Sequence, residues 1–358
     1  MPAHEVRRLL IYRLGSIGDF VIALPCFRLI RDRYPKAKIT LLTNLPVTRR
    51  TAPAQQVLSG TKYVDLYIDY ERGLRTLSEV FKLRKSIRNV NPDITIYLRE
   101  TSSVFNTIRD AAFLRWCGIS NIIGLPLKKS LRQSRRSLEG GRYIYESEAH
   151  RLFRCIAESN DSFEKLENWD LCFTETELVT AYEALKHLLP QDGKKFDLLA
   201  LCIGTKQYQN DWGQINWQAV LNGLKSKEVG LVMLGASEDW SSSQELIKFW
   251  PGISLNLCGQ IGPRVSAAVM KYCKLFLGHD SGPMHLAAAV GIQCVVVFSA
   301  RNLPGKWFPF GFGHKVFYPE MGNGISSIRP AGVIAAAIAI LDGSPLKSTQ
   351  VDRDGPTY

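Results

Sequence analysis

A strand-length apolar run leads directly into a glycine-rich turn near the start of this chain, in the stretch LLIYRLGSIGD at residues 9–19. The apolar residues before Arg13 fit a buried β-strand, and Ile22, Phe27 and Ile30 beyond the turn fit the apolar face of a helix. Glycine in such a turn lets the backbone bend sharply between the two elements. Strand, turn and helix in this order are the first half of a βαβ unit, so the stretch predicts an α/β fold.

The same alternation of strand and helix runs through both halves of the chain. Strand-like runs lie at residues 9–14, 38–43, 63–68 and 93–98, and again at 197–203, 230–235, 275–278 and 294–298. With 358 residues and roughly 150 residues per domain, the chain has room for two parallel-sheet domains. We therefore predict an N-terminal domain over residues 1–175, a C-terminal domain over 176–343 and a poorly ordered polar tail over 344–358.

The composition is that of a folded protein with an affinity for anions. Hydrophobic residues make up 46% of the chain, and its eight cysteines are scattered without a Cys-x-x-Cys pair, so we expect reduced thiols rather than a zinc site. The apolar runs are shorter than the roughly 20 residues of a membrane helix and no signal peptide is evident, so we expect a cytoplasmic protein. The net charge of +12 predicts nucleic acid, an acidic membrane surface or a phosphorylated substrate as a partner.

The turn after the first strand is the first candidate site. Gly15, Ser16 and Gly18 leave the backbone open to a ligand, and a helix N-terminus attracts anions. Asp19 lies in the first helical turn, where a carboxylate could accept a proton from an attacking hydroxyl. The alternative is an aspartate that only caps the helix.

A second candidate follows the buried strand that ends at Gly278, in the stretch HDSGPMHLAAA at residues 279–289. Asp280 or Ser281 can cap the next helix, and Gly282 leaves its N–H groups open to a phosphate. His285 could donate a hydrogen bond to that phosphate or simply pack in the first helical turn. The stretch therefore predicts an anion site, with a purely structural histidine as the alternative.

Two more strand ends carry polar residues. Thr205 and Lys206 follow the strand at residues 197–203, and Glu238 follows the strand at 230–235. Ligands of open α/β sheets bind at the carboxyl ends of the strands, where Glu238 could accept hydrogen bonds from ribose hydroxyls. Helix capping by Glu238 explains the residue equally well.

Together these segments resemble the heptosyltransferase family, glycosyltransferase family nine, over nearly the whole chain. The most specific parts are residues 13–19 with Pro25, and the stretch DSGPMHLAA at 280–288, which looks like the family signature Asp-Thr/Ser-Gly-x-x-His-Leu-Ala-Ala. The pair Cys258-Gly259 and the run WFPFG at 307–311 also look like family positions.

The resemblance implies a GT-B architecture, with two Rossmann-like domains facing across a cleft, and inverting transfer of heptose from ADP-heptose to a lipopolysaccharide core or related anionic glycan. It implies that Asp19 is the general base. The donor would be held by the C-terminal residues Thr205, Lys206, Glu238, Asp280, Ser281, Gly282 and His285. No cofactor or metal is expected, because the only Asp-x-Asp, at residues 352–354, lies in the predicted tail.

Two positions depart from the family pattern. Asn210 stands where the family often has a lysine that neutralises the leaving diphosphate, so either Lys206 or Lys306 compensates or the donor differs. Phe310 replaces a frequent tyrosine and keeps only its stacking surface.

An anionic acceptor is expected to meet arginines of the N-terminal half, and peripheral contact with the inner membrane surface is expected as well. The predicted acceptor-binding residues are Arg72, Arg99, Arg132, Arg135 and Arg136. Alternatives are a transferase that uses another nucleotide sugar in O-antigen, capsule or protein glycosylation, and a relative that binds nucleotide without catalysis. Nucleic-acid binding lacks a supporting motif.

Overall fold

The computed structural model describes residues 6–46, 51–71, 73, 76–100, 103–139, 142–163, 165–189, 196–320, 322–344 and 350–353. The chain divides into two compact units. The first contains Met1–Cys172 and the short segment Pro304–Lys306, and the second contains Phe173–Leu303 and Trp307–Tyr358. The placement of Pro304–Lys306 with the first unit was not part of the sequence-based prediction.

The first unit is built on a parallel sheet in the order β3-β2-β1-β4-β5. Its strands are β1 Arg8–Tyr12, β2 Lys38–Asn44, β3 Leu66–Tyr70, β4 Ile94–Tyr97 and β5 Ile122–Ile123. Buried apolar side chains fill β1, β2 and β4, as expected for parallel strands covered on both faces.

Helices and one hairpin complete the first unit. The helices are α1 Ile17–Val21, α2 Leu24–Arg33, α3 Gln55–Leu58, α4 Leu77–Val90, α5 Val104–Trp116, α6 Lys129–Arg132 and α7 Glu148–Ile156, with a 3₁₀ helix at Leu166–Trp169. Strands β6 Arg136–Glu139 and β7 Arg142–Tyr145 pair antiparallel. The helix predicted after the first strand is two helices, because Pro25 lacks an N–H and starts α2 afresh.

The second unit contains a parallel sheet in the order β10-β9-β8-β11-β12-β13-β14. Its strands are β8 Leu198–Cys202, β9 Gly230–Met233, β10 Ser254–Asn256, β11 Cys273–His279, β12 Gln293–Val297, β13 Lys315–Tyr318 and β14 Gln350–Arg353. The helices are α8 Glu175–Leu185, α9 Gln214–Leu224, α10 Trp240–Ile247, α11 Pro263–Met270, α12 Gly282–Ala289 and α13 Pro330–Leu341. Short 3₁₀ helices lie at Tyr208–Asn210, Ser237–Asp239 and Ile325–Ser327.

Part of the predicted tail forms the strand β14. Gln350–Arg353 pairs in parallel with β13, because the edge of the sheet offers unpaired backbone groups that need no apolar side chains from their partner. Asp352 and Arg353 therefore lie in a strand, and Asp354 falls outside the described residues.

Both sheets reverse their strand order next to the first strand of each unit. The reversal lies between β1 and β4 in the first unit and between β8 and β11 in the second. Open α/β sheets bind ligands at the carboxyl ends of strands at this switch point. The turn that follows β1 and the helix α12 that follows β11 are therefore the first places to look for a site. Among the described residues, no helix is long and apolar enough to cross a membrane.

Candidate active site

Asp19 is the third residue of α1 and closes a capping box with Ser16. Its Oδ2 accepts from the Ser16 backbone N–H at 2.8 Å and from the Ser16 hydroxyl at 3.3 Å. The side chain remains 27% exposed. The capping role that the sequence left open is therefore present, and the cap itself fixes where the carboxylate points.

Gly15 is required by this arrangement. Its φ is +148°, and a Cβ built there would lie 2.2 Å from Asp19 Cβ and 2.5 Å from Asp19 Oδ2. The buried Asn44 at the end of β2 holds the turn from the other side, with its Oδ1 accepting from Gly15 N–H at 2.8 Å. The sequence analysis missed Asn44, because only the pairing of β1 with β2 brings it to the turn.

Arg13 is a second residue whose role the sequence did not predict. It is 0% exposed, and its guanidinium donates to the Leu98 carbonyl at 2.7 Å and to the Asp19 carbonyl at 2.9 Å. Its Nη2 also lies 3.6 Å from Asp19 Oδ1. A buried, permanently charged group thus ties the first turn of α1 to the end of β4 and faces the candidate base.

A cluster of charged side chains, of which Glu148 and Arg151 are buried, lies in the first unit. Lys306 Nζ donates to Glu100 at 2.5 Å and lies 3.9 Å from Glu148 Oε2, while Arg151 holds Glu148 through bonds of 2.5 and 2.8 Å. Burial raises the pKa of Glu100, but Lys306, Arg13 and Arg151 outweigh it and the pKa falls below its usual value. Lys306 is therefore committed to carboxylates of the first unit, which weakens it as a replacement for the lysine absent at Asn210.

Arg99 lies just after β4 and binds the buried Asp110 of α5. Asp110 also accepts from the Tyr97 hydroxyl and from Arg109, each at 2.9 Å. Burial lowers the pKa of Arg99, but the nearby Tyr12 and Asp110 more than reverse this, so its pKa is raised overall. One carboxylate between two guanidiniums leaves a net positive charge at this strand end.

Three of the other predicted acceptor arginines lie in or just before the hairpin. Arg132 ends α6 and donates to the carbonyls of Pro126 and Leu127 at 3.2 and 3.0 Å. Arg135 and Arg136 are exposed, and the Arg136 guanidinium lies 4.1 Å from the centre of the Tyr143 ring. Arg72 lies outside the described residues.

In the second unit, Ser281 is the N-cap of α12 and its side chain makes no capping bond. Its buried Oγ has no hydrogen-bond partner among the described residues. His285 is 5% exposed in the first turn of the same helix, and burial lowers its pKa to about 4. Gly282, Ser281 and a neutral imidazole therefore meet at one helix N-terminus, where the backbone favours an anion.

His279 and Asp280 lie at the end of β11, directly before this helix. Asp280 accepts from the Asn302 side chain, and burial raises the pKa of Asp280 to about 6, with that hydrogen bond opposing the shift. His279 is fully buried, and its Nε2 accepts from the Trp212 N–H at 3.0 Å, which places the ring proton on Nδ1. The strand end is therefore tied to the loop that follows β8.

The loop after β8 brings Thr205 and Lys206 to the carboxyl edge of the sheet, with Lys206 exposed. Asn210 lies in the same loop, and its Oδ1 accepts from Ser299 at 2.7 Å. It therefore links β8 to the end of β12 rather than carrying charge.

Glu238 is exposed, whereas its neighbour Asp239 is buried. Asp239 Oδ2 accepts from Ala236 N–H at 2.9 Å and occupies the space where a Cβ of Gly204 would lie, at 2.1 Å. The sequence analysis missed Asp239. This carboxylate repeats in the second unit the geometry of Asp19 against Gly15.

Phe310 precedes a buried histidine. The His314 Nδ1 accepts from Cys294 N–H at 3.2 Å, so Nε2 carries the proton and donates to the Phe310 carbonyl at 2.8 Å. Burial lowers the pKa of His314 to about 4. The backbone of the predicted aromatic motif is thereby anchored to β12.

Two α/β units with the same reversal of strand order, each with polar residues at the switch point, form the GT-B fold. The family model Glycosyltransferase family 9 (heptosyltransferase) matches residues 80–318. The chain belongs to this family, as its sequence motifs predicted, and is a glycosyltransferase.

Solved structures share the fold. A glycosyl transferase family 9 protein from Veillonella parvula has a TM-score of 0.70 at 18% identity, over 94% of this chain and 97% of that one. ADP-heptose LPS heptosyltransferase II of E. coli gives 0.66 at 19%, over 93% and 98%. The E. coli heptosyltransferase WaaC with ADP gives 0.61 at 16%, over 93% and 99%. No curated protein matches the sequence.

Proposed function

We propose that this glycosyltransferase moves heptose from ADP-heptose to a lipopolysaccharide core or a related anionic glycan, with inversion at the anomeric carbon and Asp19 as the general base. The observation that carries the proposal is the fixed Asp19 carboxylate, 2.8 Å from Ser16 N–H and at the switch point of its sheet. Support for the donor comes from the E. coli relative WaaC, whose structures hold ADP and ADP-2-deoxy-2-fluoro heptose.

The transfer step needs a base on one side of the sugar and charge neutralisation on the other. The acceptor hydroxyl oxygen attacks the anomeric carbon while the bond from that carbon to the β-phosphate oxygen breaks. The hydroxyl proton passes to the Asp19 carboxylate, and ADP leaves with the bonding electron pair. Since Gly15 and Ser16 hold Asp19 in one position, the base needs little rearrangement before it reacts.

The leaving diphosphate is assigned to the N-terminus of α12. Ser281 and Gly282 would supply the hydroxyl and the backbone donor, and His285 would donate as a neutral imidazole because its pKa is about 4. Thr205 and Lys206 would lie beside the phosphates, and Glu238 would lie beside the ribose. Asp280 would lie directly before the helix. Among these groups Lys206 and the helix dipole carry the positive charge that Asn210 does not supply.

The acceptor is assigned to the first unit, where the arginines Arg72, Arg99, Arg132, Arg135 and Arg136 would meet its anionic groups. Support comes from the exposed Arg135 and Arg136 and from the net charge of the Arg99, Arg109 and Asp110 group. Reaction at the cytoplasmic face of the inner membrane, without a metal ion, completes the proposal.

A different nucleotide sugar is the second candidate, because Asn210 is held by Ser299 where a lysine is frequent. The two candidates separate in a calorimetric comparison of ADP, GDP, UDP and dTDP. ADP-heptose use predicts selective ADP binding that His285→Ala weakens at least about tenfold and Asp19→Asn leaves unchanged. Selective binding of another nucleotide moves the assignment to the second candidate.

An assay of heptose transfer decides whether the protein is a catalyst. Asp19→Asn should abolish heptose transfer to a solubilised acceptor, while Asp32→Asn, whose side chain is 66% exposed on α2, should leave it intact. Nucleotide binding without any transfer by the native protein would support a non-catalytic relative instead. The assay is run with and without a chelator, and loss of activity in chelator would overturn the metal-free step.

A further inference from the structure

Helices α4 and α5 of the first unit hold large apolar side chains in solvent. The exposed fractions are 77% for Leu77, 54% for Phe81, 73% for Phe105, 54% for Ile108 and 44% for Trp116. Single apolar residues on a surface are ordinary, but a group of this size on adjoining helices marks an interaction site. These five residues are called the apolar face below.

The residues of the apolar face are separate from the residues that pack into the core. On α4 the buried residues are Leu83 and Ile87, and Leu77 and Phe81 lie four residues apart on another side of the helix. The Phe81 ring packs edge-on against Trp116 of α5 with centroids 5.4 Å apart. The apolar residues of the two helices therefore meet at Phe81 and Trp116, which both remain exposed to solvent.

Basic residues surround the apolar face. The two helices contain Lys82, Arg84, Lys85, Arg88, Arg109 and Arg115, against the acidic residues Glu79 and Asp110. Glu79 accepts from the Thr76 N–H in a helix cap, and the buried Asp110 is bound by Arg99 and Arg109. The charge presented outward is therefore strongly positive.

Arg84 shows how the charge and the apolar surface fit together. Its guanidinium lies 4.5 Å from the centre of the Trp116 ring, and its Nε donates to the Trp116 carbonyl at 3.0 Å. The alkyl stem thus covers apolar surface while the charged end stays beside the aromatic ring. Tryptophan and phenylalanine bordered by lysine and arginine are the composition of a membrane-interface element.

We propose that the apolar face and its basic border bind the surface of a membrane that contains anionic phospholipids. Charge complementarity selects this occupant, because lipid phosphates neutralise the border while Phe105 and Ile108 enter the headgroup region. A second copy of the chain is disfavoured, since a twofold contact would place the same basic residues opposite one another. Because no described helix can cross a bilayer, the contact lies in the interface plane.

This inference deepens the proposed function, since membrane contact would hold the first unit beside a lipid-borne acceptor, but its test needs neither donor nor acceptor. Native protein is sedimented with vesicles of phosphatidylcholine alone and of phosphatidylcholine with 30% phosphatidylglycerol. We expect binding to the anionic vesicles that is at least roughly tenfold stronger and that weakens in 0.5 M salt.

Two pairs of substitutions separate the apolar and the basic contributions. Phe105→Ser with Ile108→Ser should reduce anionic-vesicle binding roughly tenfold, and Lys82→Glu with Lys85→Glu should reduce it by roughly tenfold or more. The control pair Lys36→Glu and Lys225→Glu makes the same change in net charge at exposed positions elsewhere and should have a much smaller effect. Melting temperatures close to that of the native protein show that all variants fold.

Insertion gives an independent readout through Trp116. Lipids with brominated chains should quench the fluorescence of native protein, and Trp116→Phe should remove most of that quenching although six other tryptophans remain. Absence of vesicle binding, equal loss in the control pair, or binding that ignores Phe105 and Ile108 would each overturn the proposal. So would a self-association or protein contact that uses the apolar face while vesicles do not bind. Loss of sugar transfer alone bears only on the proposed function.

Discussion

Asp19 accepts a structural hydrogen bond from Ser16 N–H and is also the proposed general base. One substitution separates these two roles. Asparagine at this position keeps an oxygen that accepts from Ser16 N–H, so the turn should hold its shape. It cannot take a proton, so kcat should fall by about 10²- to 10⁴-fold with nucleotide affinity unchanged. An unchanged melting temperature with an unchanged kcat would remove Asp19 from catalysis.

Gly15 tests the same base through its neighbour. Gly15→Ala places a methyl group 2.2 Å from Asp19 Cβ at a φ of +148°, so both strain and a clash are expected. We predict a loss of about 2 kcal/mol in the free energy of unfolding and a large loss of kcat. Gly118→Ala is the matched control, because Gly118 also has a positive φ but no atom within 4 Å. A similar loss of kcat in both variants would contradict the steric account.

At this scale the sequence shows which residue types follow each strand, and it does not show what they contact. Asp19 and Ser281 could be predicted because they belong to local turns. Asn44, Arg13 and Asp239 could not, since their roles depend on partners from other strands or on burial. A polar residue at the carboxyl end of a buried strand, such as Asn44, is the one signal that could have been used.

The stability of the region around α12 should depend on pH, because burial raises the pKa of Asp280, directly before this helix, to about 6. An unfolded aspartate titrates near pH 3.9, so this group stabilises the fold below about pH 4 and that contribution is lost as pH rises through 6. Asp280→Asn should therefore raise the free energy of unfolding by about 1–3 kcal/mol at pH 8 and change it little at pH 4. Denaturant titrations at both pH values check this, with Glu228→Gln at an exposed position as the matched carboxylate-to-amide control.

The β6–β7 hairpin carries a prediction about the acceptor. Neutralising Arg132, Arg135 and Arg136 to glutamine should raise the acceptor KM roughly tenfold at low salt, with a smaller difference in 0.5 M salt. Because Arg132 also holds the carbonyls of Pro126 and Leu127, the double variant of Arg135 and Arg136 separates charge from structure. The control replaces Lys36, Lys225 and Lys271, which removes the same charge elsewhere. Equal KM changes in both sets would refute a local role.

The positions of strands with a strong apolar pattern can be predicted from the sequence, and those of the edge strands cannot. Strands β1, β8 and β12 are nearly continuous apolar runs, and β2 and β4 are rich in Ile, Leu and Thr, so their positions could be predicted. The hairpin and β14 pair through strands of only four residues that mix polar with apolar side chains. Such pairing leaves little trace in a hydrophobic pattern.

For the whole molecule, acid should weaken the second unit. Burial lowers the pKa of His279, His285 and His314 to about 4, all of them in this unit. Between pH 6.5 and 4 the unfolded chain binds these protons and the folded one does not, so stability falls as pH falls. Each histidine contributes about 1.4 kcal/mol per pH unit, and Asp280 offsets about one of them below pH 6.

This prediction is checked by the slope of unfolding free energy against pH between 6.5 and 4.5. His314→Gln should flatten the slope by about one proton, because it removes one buried imidazole that stays unprotonated in the fold. A slope of zero in native protein would show that these rings are protonated in the fold.

The path of the chain also governs how such a protein can be divided or recombined. Pro304–Lys306 belongs to the first unit, where the Pro304 carbonyl accepts from Tyr145 N–H at 2.7 Å and Lys306 pairs with Glu100. A gene fragment that stops at residue 172 would leave the buried Glu148 without the Lys306 ammonium. A chimaera joined at residue 172 would replace Pro304–Lys306 by the corresponding three residues of another protein. The first unit is thus inherited in two pieces, and an exchange between relatives preserves it only when both pieces move together.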